Sequence, residues 1–132
     1  MKILIVDDSK SCRLRLVKIL EESPQMFDIF QAENGSDALS ICEENENIDL
    51  ILSDINMPEM DGLTFLKLVR NKLKKDSVPF LIYSTECSEE LKKTARSFKA
   101  SAWIIKPAKP HIILMALDKF RKILLSQKVA AV

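Results

Sequence analysis

Five short apolar runs, each followed by a longer segment of helical period, constrain this chain more than any other feature. The runs are Ile3-Leu4-Ile5-Val6, Phe27 to Ala32, Leu50-Ile51-Leu52, Phe80-Leu81-Ile82-Tyr83 and Ala102 to Ile105. They are too short for independent helices and mostly continuous rather than alternating, which suits strands covered on both faces. Between them, Leu63, Leu66, Val69 and Leu73 recur at spacings of three and four, as do Leu91, Ala95 and Phe98. Each set makes one apolar stripe on a helix. Ser9 to Leu20, Ser36 to Glu44 and His111 to Leu125 read as further helices. No tight turn joins one strand run directly to the next. Five β-α repeats imply right-handed crossovers and an α/β fold, a doubly wound parallel sheet with helices on both faces. At 132 residues the chain is one domain's worth, expected over 1–127 with a short tail at 128–132.

In such a sheet, sites form outside the carboxyl ends of the strands. The first strand delivers Asp7 and Asp8 there, the third Asp54, the fourth Ser84 and Thr85, and the fifth Lys106. Taken singly, each has an ordinary explanation: a helix cap, a solvated loop acid, a surface lysine. Jointly they do not, because a parallel fold brings all of them to one rim. Three carboxylates that close repel one another unless a cation intervenes. A hard divalent ion with oxygen ligands resolves the repulsion, and Mg²⁺ prefers few carboxylates plus waters and phosphate oxygens. Lys106 adds a compact charge suited to one more anion. The set reads as a site for Mg²⁺ and a phosphoryl group, which is either bound there or transferred to an aspartate nucleophile.

Composition removes other classes. Twenty Lys and Arg nearly balance nineteen Asp and Glu, for a net charge of +1, so no broad basic field is present to hold nucleic acid. Cys12, Cys42 and Cys87 are scattered, with no paired spacing for zinc or a disulfide framework, and read as free thiols of a reducing cytoplasm. The opening MKILIVDD is too short in its apolar core for a signal peptide, and no stretch approaches the roughly 20 apolar residues of a membrane helix. A cytoplasmic protein is expected.

The pair Asp7-Asp8, the stretch LSDINMPEMDG around Asp54, Ser84, and Lys106-Pro107 follow the expected strands in order. Together they resemble the receiver domain of two-component response regulators across essentially the whole chain. LSDINMPEMDGLTFLKLVR is especially similar to stand-alone, CheY-like chemotaxis regulators. The resemblance implies a flavodoxin-like sheet of order 2-1-3-4-5 flanked by five helices, and a cis Lys106-Pro107 peptide. It implies that Asp54 accepts a phosphoryl group from a histidine kinase or phosphotransfer protein. Asp8, Asp54 and the Asn56 backbone carbonyl would ligate Mg²⁺, with Asp7 acting through water. Lys106 would contact the phosphoryl group, the Ser84 hydroxyl would swing toward it, and Trp103 would turn inward as the switch aromatic. Asn56, Thr85 and Glu86 would tune phosphoryl lifetime. A target protein would bind the face of the fourth helix, fifth strand and fifth helix, without membrane or direct nucleic-acid contact. Such a protein is no conventional enzyme; it promotes transfer to, and hydrolysis from, its own Asp54.

Three positions depart from the usual receiver pattern. Thr85 is bulkier than the usual Ala or Gly and narrows the approach to Asp54. Lys99 stands where Gly commonly ends the fourth helix in a left-handed turn, at a cost on the order of 1–2 kcal/mol. Ala108 replaces a larger apolar residue after Lys-Pro and loosens the start of the fifth helix. A phosphorelay intermediate and the receiver half of a larger regulator stay open as alternatives. A haloacid dehalogenase-like phosphatase also uses a strand-end Asp with Mg²⁺, but places it in an Asp-x-Asp arrangement on the first strand. Here the first strand carries adjacent acids and the lone Asp follows the third.

Overall fold

The computed structural model describes residues 1–130, and the side chains of residues 1–127. Strands and helices alternate throughout: β1 (Lys2–Val6), α1 (Lys10–Glu22), β2 (Asp28–Ala32), α2 (Gly35–Glu44), β3 (Leu50–Ser53), then α3 (Gly62–Asn71), β4 (Phe80–Ser84), α4 (Glu89–Ser97), β5 (Ala102–Ile105) and α5 (Pro110–Ala130). The strands form one parallel sheet in the order β2-β1-β3-β4-β5. This is the expected doubly wound, flavodoxin-like architecture.

The sheet separates two apolar cores. Leu4, Val6, Ile51 and Ile82 pack against Leu39 of α2, Phe65, Leu66 and Val69 of α3, and Ala95 of α4. On the other face Ile3, Ile5, Leu50, Leu52 and Leu81 meet Leu16 and Leu20 of α1, and Ile113 and Leu117 of α5. Alternate residues of one strand feed opposite cores because strand side chains alternate sides. Burial on both faces holds for β3 and β4 throughout and for β1 beyond its first residue, but not for the edges. Asp28 and Gln31 on β2 and Ile105 on β5 are exposed, because a strand at the edge of the order has helix cover on less of its surface.

Local chemistry sets the helix starts. The side chains of Ser9, Asn34, Asp61 and Ser88 accept hydrogen bonds from the amides of Cys12, Asp37, Thr64 and Leu91, each capping a helix. Pro110 opens α5 at a position where its missing N–H costs nothing. α5 runs on through Ala130, beyond the Leu125 expected from periodicity and into the stretch expected as a tail; residues 131–132 lie outside the described residues. Two residues beyond α4, Lys99 takes φ 62°, the left-handed turn expected there. The Lys99 amide donates to the Arg96 carbonyl at 2.9 Å and the Ala100 amide to the Ala95 carbonyl at 3.0 Å, which is the Schellman pattern. Among the described residues no helix is long and apolar enough to cross a membrane.

Candidate functional site: an acidic rim with one lysine

The parallel register brings the ends of β1 and β3 side by side, with Val6 opposite Ser53. The next residue on each chain is an aspartate, and the Asp54 amide donates to the Val6 carbonyl at 2.9 Å. Asp7, Asp8 and Asp54 consequently offer carboxylate oxygens that all lie within 4.8 Å of one another. Asp7 and Asp54 are buried, whereas Asp8 faces solvent. From the end of β5, the Lys106 ammonium reaches into the same place. Its Nζ donates to Asp7 Oδ2 at 2.6 Å and to Asp54 Oδ2 at 2.7 Å.

Each remaining oxygen is aimed by backbone. Asp7 Oδ1 accepts from the Ser9 amide at 2.9 Å, and Asp54 Oδ1 accepts from the Ile55 amide at 2.6 Å. Asp8 makes no hydrogen bond or ion pair among the described residues. Three carboxylates against one ammonium leave a formal excess of two negative charges. A divalent cation bound by hard oxygens matches that excess, and carboxylate oxygens already holding one hydrogen bond retain a second lone pair. The donor set therefore fits Mg²⁺. Burial works against the Lys106 ammonium, but its hydrogen bonds to Asp54 and Asp7, and their charges, outweigh it and hold its pKa above the ordinary lysine value. Lys106 is a fixed cation of the site.

Around this centre the other expected residues divide. Ser84 is fully buried at the end of β4, and its hydroxyl accepts from the Glu86 amide at 3.2 Å rather than bonding to Asp54. Glu86 is a junction: its carbonyl accepts from the Trp103 indole N–H at 2.9 Å, and its carboxylate accepts from Asn56 Nδ2 at 2.9 Å. The Ser84, Trp103 and Asn56 side chains thus meet on one residue of the β4–α4 loop. Thr85 is exposed, with no hydrogen bond to the carboxylates. The Lys106-Pro107 peptide is cis.

Three positions escaped the sequence reading. Arg13, buried on α1, donates to the Asp7 carbonyl at 2.6 Å and to Gln31 Oε1 at 3.3 Å, bracing the end of β1. Gly62 packs directly on the Asp54 peptide, its amide donating to the Ile55 carbonyl at 2.8 Å. Tyr83 lies with its ring 5.4 Å from the Lys106 ammonium. Arg13 sits in a helix pattern where any exposed cation would fit, and Tyr83 in an apolar run, so neither stood out. Gly62 closes the LSDINMPEMDG stretch in an Asp-Gly pair, which by itself marks a turn and not a contact. Cys12 also borders the site; burial, then its hydrogen bond and charge interaction with Asp7, push its thiol up to about 11, so it is protonated at neutral pH.

Comparison with known proteins agrees with this geometry. The profile of the family described as "Response regulator receiver domain" matches residues 3–118. A chemotaxis protein CheY homolog of Campylobacter jejuni is 33% identical over 118 residues, covering 89% of this chain and 90% of that protein. Chemotaxis protein CheY1 of Helicobacter pylori is 31% identical, covering 89% of this chain and 94% of that one. The structure of chemotaxis protein CheY4 of Vibrio cholerae superposes with a TM-score of 0.82 at 34% identity, covering 90% of this chain and 97% of that chain.

Proposed function

Because this chain belongs to the response regulator receiver domain family, we propose that it is a phosphorylation-activated response regulator whose phosphoacceptor is Asp54. The observation that carries this reading is the Lys106 ammonium bridging Asp7 and Asp54 beside three clustered carboxylates. Asp8, Asp54 and the Asn56 carbonyl would hold Mg²⁺, with Asp7 acting through water; the ion supplies the positive charge that lets a phosphate approach an acidic rim. A carboxylate oxygen of Asp54 attacks phosphorus, a new O–P bond forms, and the P–N bond of a phosphohistidine on a kinase or phosphotransfer protein breaks. Lys106 stays paired with Asp7 and turns a donor onto the phosphoryl oxygens, where negative charge is held.

The switch follows from what the phosphoryl group adds, about −1.5 to −2 charge and three acceptor oxygens. The Ser84 hydroxyl, which donates to no group among the described residues, then gains an acceptor and leaves the Glu86 amide to donate to a phosphoryl oxygen. Glu86 also carries the carbonyl that holds Trp103, so the β4–α4 loop and the indole respond together. Target binding changes on the surface of α4, β5 and α5, where Trp103 and the exposed Ile105 and Ile112 lie. Phosphorylation works by shifting a population between two arrangements, to the extent that it binds one more tightly. Its role, by likeness to relatives named as chemotaxis proteins, is motility-type signalling in the cytoplasm.

Acetyl phosphate with Mg²⁺ tests the central step. The expected result is a mass increase of one phosphoryl group that disappears in Asp54→Ala and on chelation of the metal. A wild-type protein whose mass stays constant under these conditions would refute the reading.

A further inference from the structure

Lys106 is a cation held at one spot by more than its own strand. Its amide donates to the Ser84 carbonyl at 2.9 Å, which fixes the near end of the turn leading to α5. The far end is clamped by two side chains. The Tyr83 hydroxyl accepts from the Ala108 amide at 3.2 Å and from Arg15 Nη1 at 3.2 Å. Arg15 Nη2 donates to the Ala108 carbonyl at 2.8 Å. Both backbone groups of Ala108, two residues past Lys106, are therefore tied to one Tyr–Arg pair reaching from β4 and α1. The loosening expected from the small Ala108 side chain is offset here, since the backbone itself is held.

Tyr83 touches the lysine by a second route. Its ring, 3% exposed, lies 5.4 Å from the Lys106 ammonium, inside the roughly 6 Å range of a cation–π contact. A buried tyrosine brings a hydroxyl that must find partners, and the partners it finds are Arg15 and the Ala108 amide, two residues past the lysine. Two of the three ammonium donors are taken by Asp7 and Asp54. The direction of the third depends on how the head group is seated.

We propose that Tyr83, braced by Arg15, is a positioning residue for Lys106: its ring seats the ammonium and its hydroxyl pins the turn that carries it. The proposal rests on the phosphoryl-transfer reading above for its consequence, which is the alignment of the remaining Lys106 donor with a phosphoryl oxygen.

Four variants and three readouts test it. Tyr83→Phe keeps the ring and removes the hydroxyl; it should slow Asp54 phosphorylation by acetyl phosphate by about three- to tenfold, as small misplacements of catalytic groups do. Half-saturation by Mg²⁺ should stay within about twofold of wild type, separating rate from binding. Arg15→Met should match it, and the double variant should be no slower than the slower single, the signature of one coupled unit. Ile104→Val, a truncation in the same core cluster, should leave the rate unchanged. Independently of phosphorylation, the ¹⁵N resonance of the Lys106 ammonium should be sharp in wild type and broadened in Tyr83→Phe. Wild-type rates in Tyr83→Phe, equal slowing in Ile104→Val, or a Lys106 resonance indifferent to the hydroxyl would each overturn the proposal. Should wild type itself fail to be phosphorylated, the transfer reading falls, and the Lys106 resonance alone decides the role of Tyr83.

Discussion

At Gly62 an added Cβ would lie 1.9 Å from the Asp54 carbonyl oxygen and 2.9 Å from the Ile55 Cα. Nothing flexible stands there to yield, because both neighbours are backbone. The Asp61-Gly62 pair thus does two jobs: Asp61 caps α3, and Gly62 lets the helix start against the Asp54 peptide. Gly62→Ala is expected to cost about 2–3 kcal/mol, the scale of overpacking, and to slow phosphorylation at least tenfold by displacing Asp54. Urea melts and the acetyl phosphate mass shift, run on the same samples, check both halves; an unperturbed protein would mean the contact relaxes freely. At this scale the sequence was legible where chemistry is intrinsic to a residue type, as for Asp7, Asp8, Asp54 and Lys106. It was mute where a residue matters through what it touches, as for Arg13 and Gly62.

The elements tell a similar story about their ends. α4 stops because its chain turns left-handed at Lys99, and the departure from glycine noted in the sequence is retained in the fold with φ 62°. Arg70 holds that turn from α3, donating to the carbonyls of Phe98 and Lys99 at 3.2 and 2.9 Å while also bonding those of Lys75 and Val78. Four carbonyls from two connections share one buried guanidinium, so the turn is over-determined and tolerates a poor residue. Lys99→Gly should relieve left-handed strain and stabilise the protein by about 0.5–1 kcal/mol, after the loss of chain entropy that glycine brings. Thermal unfolding measures it, and an unchanged or lower midpoint would show that the strain is absorbed elsewhere. Helix starts were readable within a residue or two, since caps are local. The end of α5 was not, because the apolar periodicity fades after Leu125 while Ser126 to Ala130 hold no Gly or Pro to stop a helix.

Over the whole molecule, the groups with raised pKa share one sign. Burial pushes the Cys42 thiol up to about 11, and burial followed by Asp7 does the same at Cys12, from an ordinary value of 9.0. Lys106 is raised as well, from 10.5, by its two carboxylate partners. Each holds its proton more firmly folded than unfolded. Between pH 9 and 11 the folded protein therefore carries more bound protons than the unfolded chain, and stability falls as pH rises through that window. Urea midpoints at pH 8.5, 9.5 and 10.5 are expected to decline steadily, with a shallower decline in Cys42→Ala. A flat profile would show that these groups titrate alike in both states.

The alternation of apolar runs with helical stripes was enough to determine the fold class, because period and run length reflect burial directly. Since a parallel sheet sends every strand end to one edge, the same pattern also determined which aspartates and which lysine would meet. Tertiary structure alone decided how they meet. It set the Lys106 ammonium between Asp7 and Asp54 rather than in water, and turned the Ser84 hydroxyl back to Glu86. It also placed Tyr83 and Arg15 as a clamp on the turn beyond the lysine. Those outcomes depend on side-chain directions and on contacts between residues distant along the chain, such as Arg15 with Ala108. Such contacts leave no periodic trace in the sequence.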